Sequence, residues 1–188
     1  LINDSNRIGE KELLEQRKKF FPAPLGSDPE NITKNLRLFK KTSFISIIKR
    51  DIDSKATLEE NLSSLSSLAE ICIQTALVDS MKYYATELNM MSESDQQKSE
   101  LFIIAMGKLG GRELNASSDI DIIFFAPYKD ELRRNATTLA KFENFWNKVL
   151  TRFTNNLSII TNHGFVYRVD MRLRPYGGAG PKVVSLNS

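Results

Sequence analysis

The sequence predicts an α+β protein in which a helical region precedes a small sheet with flanking helices. One set of segments places apolar residues at helical spacing: 9–21, 31–50 and 57–90. A later set consists of short apolar runs typical of strands: 101–106, 119–126 and 165–174. The change of period near residue 100 therefore predicts two structural regions of different type.

The expected boundary between these regions is the polar run SESDQQKSE at 92–100. We predict a helical N-terminal region at 1–91, a linker at 92–100 and a mixed core at 101–188. Three strands make a thin sheet, so we expect the core to be truncated at its C-terminal end. The chain begins at Leu1 and not at Met, and we expect it to be a piece of a longer protein.

Composition excludes several classes of protein. The chain has 188 residues, of which 41% are apolar, and it carries a net charge of +3. No apolar run approaches the roughly 20 residues that a membrane helix needs, and no secretory leader is recognisable. Cys72 is the single cysteine, which excludes an internal disulfide. We therefore expect a soluble, cytoplasmic protein without membrane contacts.

Two helices have the clearest signals. Thr57 and Glu60 form a capping-box pattern before the third helix. An apolar stripe follows it: Leu58, Leu62, Leu65, Ala69, Cys72 and Ala76. A further helix at 136–157 has a second stripe: Leu139, Phe142, Trp146, Val149 and Phe153. Both stripes predict helices packed against other elements.

Three aspartates on predicted strands suggest a metal site. Side chains alternate along a strand, so Asp119 and Asp121 share one face, about 7 Å apart. In the 165–174 strand, Phe165, Tyr167, Val169, Met171 and Leu173 would point one way, and Arg168, Asp170, Arg172 and Arg174 the other. If the strands are neighbours, Asp170 joins the pair. Carboxylates suit Mg²⁺ or Mn²⁺, and a metal pair is one solution for phosphoryl transfer.

The turn before the acidic pair is a candidate phosphate site. Glycines let a backbone approach a ligand closely, and the segment contains Gly107, Gly110 and Gly111. Lys108 lies in this turn, and Ser118 directly precedes the acidic strand. Arg172 and Arg174 are candidates to bind phosphate oxygens. Each of these residues also has a purely structural reading, as a turn residue, a surface residue or a partner in an inter-strand pair. For Asp170 the structural alternative is a salt bridge to Arg168 or Arg172.

The pair Gly107-Lys108 is followed by ten residues and then by Asp119-Ile120-Asp121. This pattern resembles the nucleotidyltransferase superfamily typified by DNA polymerase β, whose members usually have Gly-Ser at the first two positions. The match is closer to one family. The segments MGKLGGRELNASSDIDIIF (106–124) and GFVYRVDMRLRPYGGAGPKVVS (164–185) resemble the glutamine synthetase adenylyltransferase family. Ser117-Ser118-Asp119-Ile120-Asp121 and the run 166–172 are similar to its N-terminal, deadenylylating domain.

The resemblance implies a polymerase-β-like sheet and a transferase of a multifunctional enzyme. It implies that Asp119, Asp121 and Asp170 bind Mg²⁺ and act in catalysis, with Asp170 as a ligand or as a base. Gly107, Lys108, Gly110, Gly111, Ser118, Arg172 and Arg174 would bind the phosphate side of ADP or ATP. The implied reaction is removal of AMP from a glutamine synthetase tyrosine by phosphate, under control of the PII signalling protein.

Three other functions are open at this point. The same fold could transfer AMP from ATP to the tyrosine, or the chain could be a non-catalytic docking fragment. A nucleic-acid nucleotidyltransferase would need a long basic groove. Residues 57–100 carry two basic and eight acidic side chains, which argues against a nucleic-acid partner.

Overall fold

A computed structural model describes residues 8–26, 28–84, 101–126, 135–175, 177 and 181–185. Three helices come first in the chain, and a small mixed sheet with further helices follows. The helices are α1 (Glu10–Phe20), α2 (Pro29–Ile52) and α3 (Leu58–Tyr83). Strand β1 (Phe102–Ala105), the short helix α4 (Gly107–Gly110), strand β2 (Ile120–Ala126) and helix α5 (Ala136–Ser158) follow. Strands β3 (Val169–Asp170) and β4 (Val183–Ser185) complete the order. The predicted α+β class is confirmed.

Helix α3 begins at the predicted capping box. The Thr57 hydroxyl accepts from the Glu60 N–H at 3.2 Å, and the Glu60 carboxylate accepts from the Thr57 N–H at 3.0 Å. Leu65 is 6% exposed and Cys72 is fully buried, as the stripe predicts. The prediction for Leu58 is wrong, because this residue is 72% exposed at the first position of the helix. The expected continuation over 85–90 lies outside the described residues.

Strand β2 is central in the sheet. Strand β1 runs antiparallel to it, with Phe102 opposite Phe125 and Ala105 opposite Ile122. Strands β3 and β4 pair with β2 in parallel, at Ile120–Asp121 and at Phe124–Ala126. One face of β2 is fully buried against the core: Ile120, Ile122, Phe124 and Ala126. The opposite face of β2 begins with Asp121, which is half-buried, and continues with Ile123, which is buried.

The predicted strand over 165–174 is much shorter in the structure. Only Val169 and Asp170 are extended and paired. The N–H groups of Val166 and Tyr167 both donate to the Leu157 carbonyl, so the chain turns across the end of α5. Phe165 and Leu173 are consequently exposed, whereas Val166 is buried. The predicted alternation is therefore wrong at Phe165 and Leu173, whereas Tyr167 and Met171 pack against the core as predicted. Strand β4 was not predicted.

The helices and the sheet share one hydrophobic core. Leu36 and Phe39 of α2, Leu68 of α3, and Phe124 and Phe153 from β2 and α5 belong to a single buried cluster. The expected linker at 92–100 lies outside the described residues, so the division into two domains stays a prediction. Among the helices that the structure describes, none is long and apolar enough to cross a membrane.

Candidate active site

The sheet register places two of the predicted acids side by side. Asp121 on β2 is the direct partner of Asp170 on β3. Paired residues on neighbouring strands project to the same face of a sheet. Asp119 precedes Asp121 by two residues, immediately before β2. The shared face that the sequence predicts for Asp121 and Asp170 is therefore present in the structure.

Asp119 binds an arginine from the neighbouring strand segment. The Arg168 Nε donates to the Asp119 Oδ1 at 2.7 Å. The backbone is fixed at the same place, because the Ile120 N–H donates to the Arg168 carbonyl at 3.0 Å. The cross-strand pair Arg168–Asp119 is a contact that the sequence analysis missed, because the path of residues 165–168 differs from a regular strand.

Asp170 binds Arg172, two residues later. The Arg172 Nη2 lies 2.5 Å from Oδ2, and the Arg172 backbone N–H donates to Oδ1 at 2.8 Å. The hydrogen bonds from the Arg172 side chain and backbone lower the pKa of the Asp170 carboxyl, and the charge of Arg174 adds to the effect. Asp170 raises the pKa of the Arg172 guanidinium in return, with a smaller contribution from Asp121. The charge of Arg172 therefore interacts with both Asp170 and Asp121, and Asp170 also interacts with Arg174.

The glycine turn, which consists of α4 and Gly111, lies against Asp121 at Gly107. Gly107 has a positive φ of 54°, and a side-chain carbon at this position would lie 2.9 Å from the Asp121 Oδ2. The Met106 N–H donates to the Asp121 carbonyl at 2.8 Å. At Gly110, an added carbon would lie 2.5 Å from the Ala105 carbonyl oxygen. These glycines allow the turn to pack closely against the start of β2 and the end of β1.

The other residues predicted to bind phosphate are exposed or make local hydrogen bonds. Lys108 and Gly111 are exposed in the turn. The Ser118 hydroxyl donates to the Asn115 Oδ1 at 2.6 Å, which closes the loop before β2. Arg174 donates to the Met171 carbonyl at 2.6 Å. For Ser118 and Arg174 the structure therefore shows local contacts that shape the loops around the acids.

Helix α3 anchors the loop between α4 and β2. The Arg112 guanidinium binds the Glu70 carboxylate at 3.0 Å and the Ser67 hydroxyl at 2.9 Å. The Leu114 N–H donates to the Ser66 hydroxyl at 3.2 Å, and Leu114 is buried. This support was not predictable from the sequence, since it depends on contacts across more than 40 residues. The loop that carries the acidic pair is thus held by the helical region.

The donor set fits a hard divalent cation, because all three predicted ligands are carboxylates. Within the described ranges, no group of three or more His, Cys, Asp or Glu side chains is arranged so that it could hold a metal ion. Asp119 and Asp170 instead bind Arg168 and Arg172. Asp121 and Asp170 are direct partners in the sheet, but the predicted cluster of all three carboxylates is not assembled, because the Asp119 and Asp170 carboxylates bind arginines. Metal binding by these residues stays a prediction.

Known proteins with similar sequences are glutamine synthetase adenylyltransferase/adenylyl-removing enzymes. The relative from Shewanella woodyi is 42% identical over 156 residues, which are 81% of this chain and 16% of that protein. Those from Ralstonia nicotianae and Shewanella oneidensis are 36% and 38% identical over 89% and 97% of this chain, and these matches cover 18% and 20% of the relatives. All three are named bifunctional enzymes. The chain spans about a fifth of their length or less.

A family model described as glutamate-ammonia ligase adenylyltransferase matches residues 7–188. This range includes the glycine turn, the acidic pair and Asp170. The matched segment and the relatives agree with each other, and the chain therefore belongs to the glutamate-ammonia ligase adenylyltransferase family.

Proposed function

We propose that this chain is the nucleotidyltransferase core of a deadenylylating domain, which removes AMP from a tyrosine of adenylylated glutamine synthetase. The observation that carries the proposal is the direct pairing of Asp121 with Asp170 beside the Gly107 turn. The family membership supports the class of reaction, and the relatives' printed name includes adenylyl removal. The resemblance of 117–121 and 166–172 to the deadenylylating domain favours this direction over adenylylation.

In the proposed reaction, an oxygen of inorganic phosphate forms a bond to the adenylyl phosphorus. The bond from that phosphorus to the tyrosine oxygen breaks, the tyrosine oxygen takes up a proton, and ADP leaves. Asp119, Asp121 and Asp170 would hold Mg²⁺ or Mn²⁺, which neutralises charge on the phosphoryl oxygens when bound. Asp170 has a second possible role as the base that accepts a proton from the incoming nucleophile.

The remaining residues of the site would bind and orient phosphate groups. Gly107, Gly110 and Gly111 let the turn approach a nucleotide, and Lys108 and Ser118 would contact its phosphates. Arg172 and Arg174 supply positive charge close to Asp170, where phosphate oxygens need it. We infer that glutamine synthetase is the protein substrate and PII a regulator of the whole enzyme, and that the reaction controls nitrogen assimilation in the cytoplasm.

The test supplies the 188-residue chain with adenylylated glutamine synthetase, phosphate and Mg²⁺, and measures ADP. We expect ADP formation that requires phosphate and is lost in Asp121→Asn. The matched control is Lys18→Gln on α1, where Lys18 pairs with Glu15. A second arm supplies ATP and unmodified glutamine synthetase. Incorporation of AMP in that arm without ADP release in the first would support adenylylation. Absence of both products would mean that the chain is a docking fragment or that it is inactive without the rest of the enzyme.

A further inference from the structure

The two arginines that bind site carboxylates lie on either side of β3. Arg168 precedes the strand and reaches across to Asp119, while Arg172 follows it and binds Asp170. Their side chains are 69% and 82% exposed, respectively. By contrast, the side chain of Arg37 is almost completely buried. The two site arginines therefore lie where solvent, ions and a substrate can reach them.

The ion pair of Arg168 with Asp119 is a single exposed contact, and such pairs are weak because water screens the charges and the long side chains lose conformational freedom. The pair of Arg172 with Asp170 is stronger, because it is bidentate and the Asp170 side chain is only 23% exposed. A divalent cation with several carboxylate ligands competes for the same oxygens. Because both guanidinium groups are exposed, their departure from the carboxylates would not disrupt the hydrophobic core.

The backbone keeps both arginines near the acids after such an exchange. The Arg168 carbonyl accepts from the Ile120 N–H, and the Arg172 N–H donates to the Asp170 Oδ1. A released guanidinium thus stays within one side-chain length of the same site. Guanidinium groups bind phosphate oxygens through two parallel hydrogen bonds, a geometry that suits a nucleotide or free phosphate.

We propose that Arg168 and Arg172 are exchangeable counter-ions of the site. They neutralise Asp119 and Asp170 when no divalent cation is present, and they turn to phosphate oxygens of the substrate when a cation occupies the carboxylates. This inference rests on the proposed function, and it gives Arg168 a role that the acidic motif does not indicate. It predicts opposite effects of the arginines on cation binding and on phosphate binding.

The test measures Mn²⁺ binding to the 188-residue chain by the paramagnetic resonance signal of free Mn²⁺, without nucleotide. Arg168→Gln is expected to bind Mn²⁺ more tightly than the unchanged chain, by up to about fivefold, the ratio that corresponds to an exposed ion pair of about 1 kcal/mol. Arg172→Gln is expected to bind Mn²⁺ more tightly by at least the same factor, because its pair with Asp170 is bidentate. With Mn²⁺ saturating, calorimetry should show weaker binding of ADP or of inorganic phosphate by the same variants. Separate titrations with ADP and with phosphate show which phosphate source each arginine contacts.

Two control variants separate this inference from the proposed function. Asp121→Asn should lose Mn²⁺ binding, and Lys18→Gln, which removes one exposed charge from a pair on α1, should leave all affinities unchanged. If Mn²⁺ binding requires Asp121 but is unchanged or weakened in both arginine variants, the counter-ion inference is wrong and the site stands. If Mn²⁺ binding is absent or does not depend on Asp121, the proposed site itself is wrong, and the inference with it.

Discussion

Arg37 is a buried charged residue whose hydrogen bonds hold the segment that leads into β3. Its side chain is 1% exposed and donates to the carbonyls of Thr33, Asn156 and Gly164 at 2.6, 3.0 and 2.7 Å, as well as to that of Ile159. Burial lowers the pKa of its guanidinium. These bonds tie α2 to the end of α5 and to the turn that leads into β3.

Removal of the Arg37 guanidinium should destabilise the protein. We expect Arg37→Met to lower the free energy of unfolding by at least about 2 kcal/mol, because several buried carbonyls lose their donor. Arg37→Lys should not restore it, since one ammonium lacks the planar set of donors. Urea unfolding measures both, and Lys41→Met on the exposed side of α2 is the control. Equal stability of the Arg37 and Lys41 variants would contradict this role.

Two neighbouring glycines should respond differently to an added methyl group. In Gly110→Ala the new carbon meets the Ala105 backbone oxygen at 2.5 Å, whereas in Gly111→Ala it meets the flexible Glu113 carboxylate at 3.0 Å. We expect Gly110→Ala to cost about 1–3 kcal/mol, as overpacking does, and Gly111→Ala to be close to neutral. Thermal unfolding of the two variants checks this, and a larger effect at Gly111 would contradict the close packing of α4 on β1.

The positions of the acids were predictable from sequence, and so was an arginine partner for Asp170, but the partner of Asp119 was not. The spacing Asp119-Ile120-Asp121 and the run around Asp170 predict carboxylates on one face of adjacent strands, and the register agrees for Asp121 and Asp170. The bond from Arg168 to Asp119 depends on the turn of the chain over the end of α5. Such a turn is a product of tertiary packing, which periodicity in one segment cannot reveal.

Helix α3 allows a matched comparison of two leucines on one element. Leu65 is 6% exposed and Leu58 is 72% exposed. We expect Leu65→Ala to lower the free energy of unfolding by about 2–5 kcal/mol, through lost burial and a cavity. Leu58→Ala should change it by less than about 0.5 kcal/mol. Chemical denaturation followed by circular dichroism measures both, and a small effect at Leu65 would mean that the stripe is not packed.

At the level of elements, long periodic segments were predicted better than short ones. The capping box and the stripe of α3, and the apolar face of α5, define helices that the structure contains. The two-residue strand β3 and the three-residue strand β4 gain their order from pairing with β2. Because both strands depend on pairing with a strand that is distant in sequence, local patterns predicted a strand at 165–174 that is too long and did not predict β4.

The whole molecule is expected to unfold in one transition, despite its change of structural type near residue 100. Helices α2, α3 and α5 and the sheet share a continuous core, and Arg152 of α5 binds the buried Asp79 of α3 at 2.8 Å. Trp146 is the single tryptophan and is buried on α5. Its fluorescence and the far-ultraviolet circular dichroism should therefore give the same midpoint. Two separate midpoints would favour independent domains at 1–91 and 101–188.

The overall class was predictable because the helical and strand periods occupy different parts of the sequence. The shared core was not, since the predicted linker suggested separate regions. Both Asp79 and Arg152 are unremarkable in the sequence, and only the packing of α3 against α5 brings them together. The direction of adenylyl transfer was not predictable from these patterns, because a domain of either direction would carry the same kind of carboxylate motif.

The most direct test of the central claim uses a full-length member of the family that has both activities. Asparagine replaces the two aspartates at the positions that align with Asp119 and Asp121, and the same preparation is assayed in both directions. Our account predicts that phosphate-dependent release of ADP from adenylylated glutamine synthetase is lost, while ATP-dependent adenylylation continues. Loss of adenylylation with intact ADP release would contradict it.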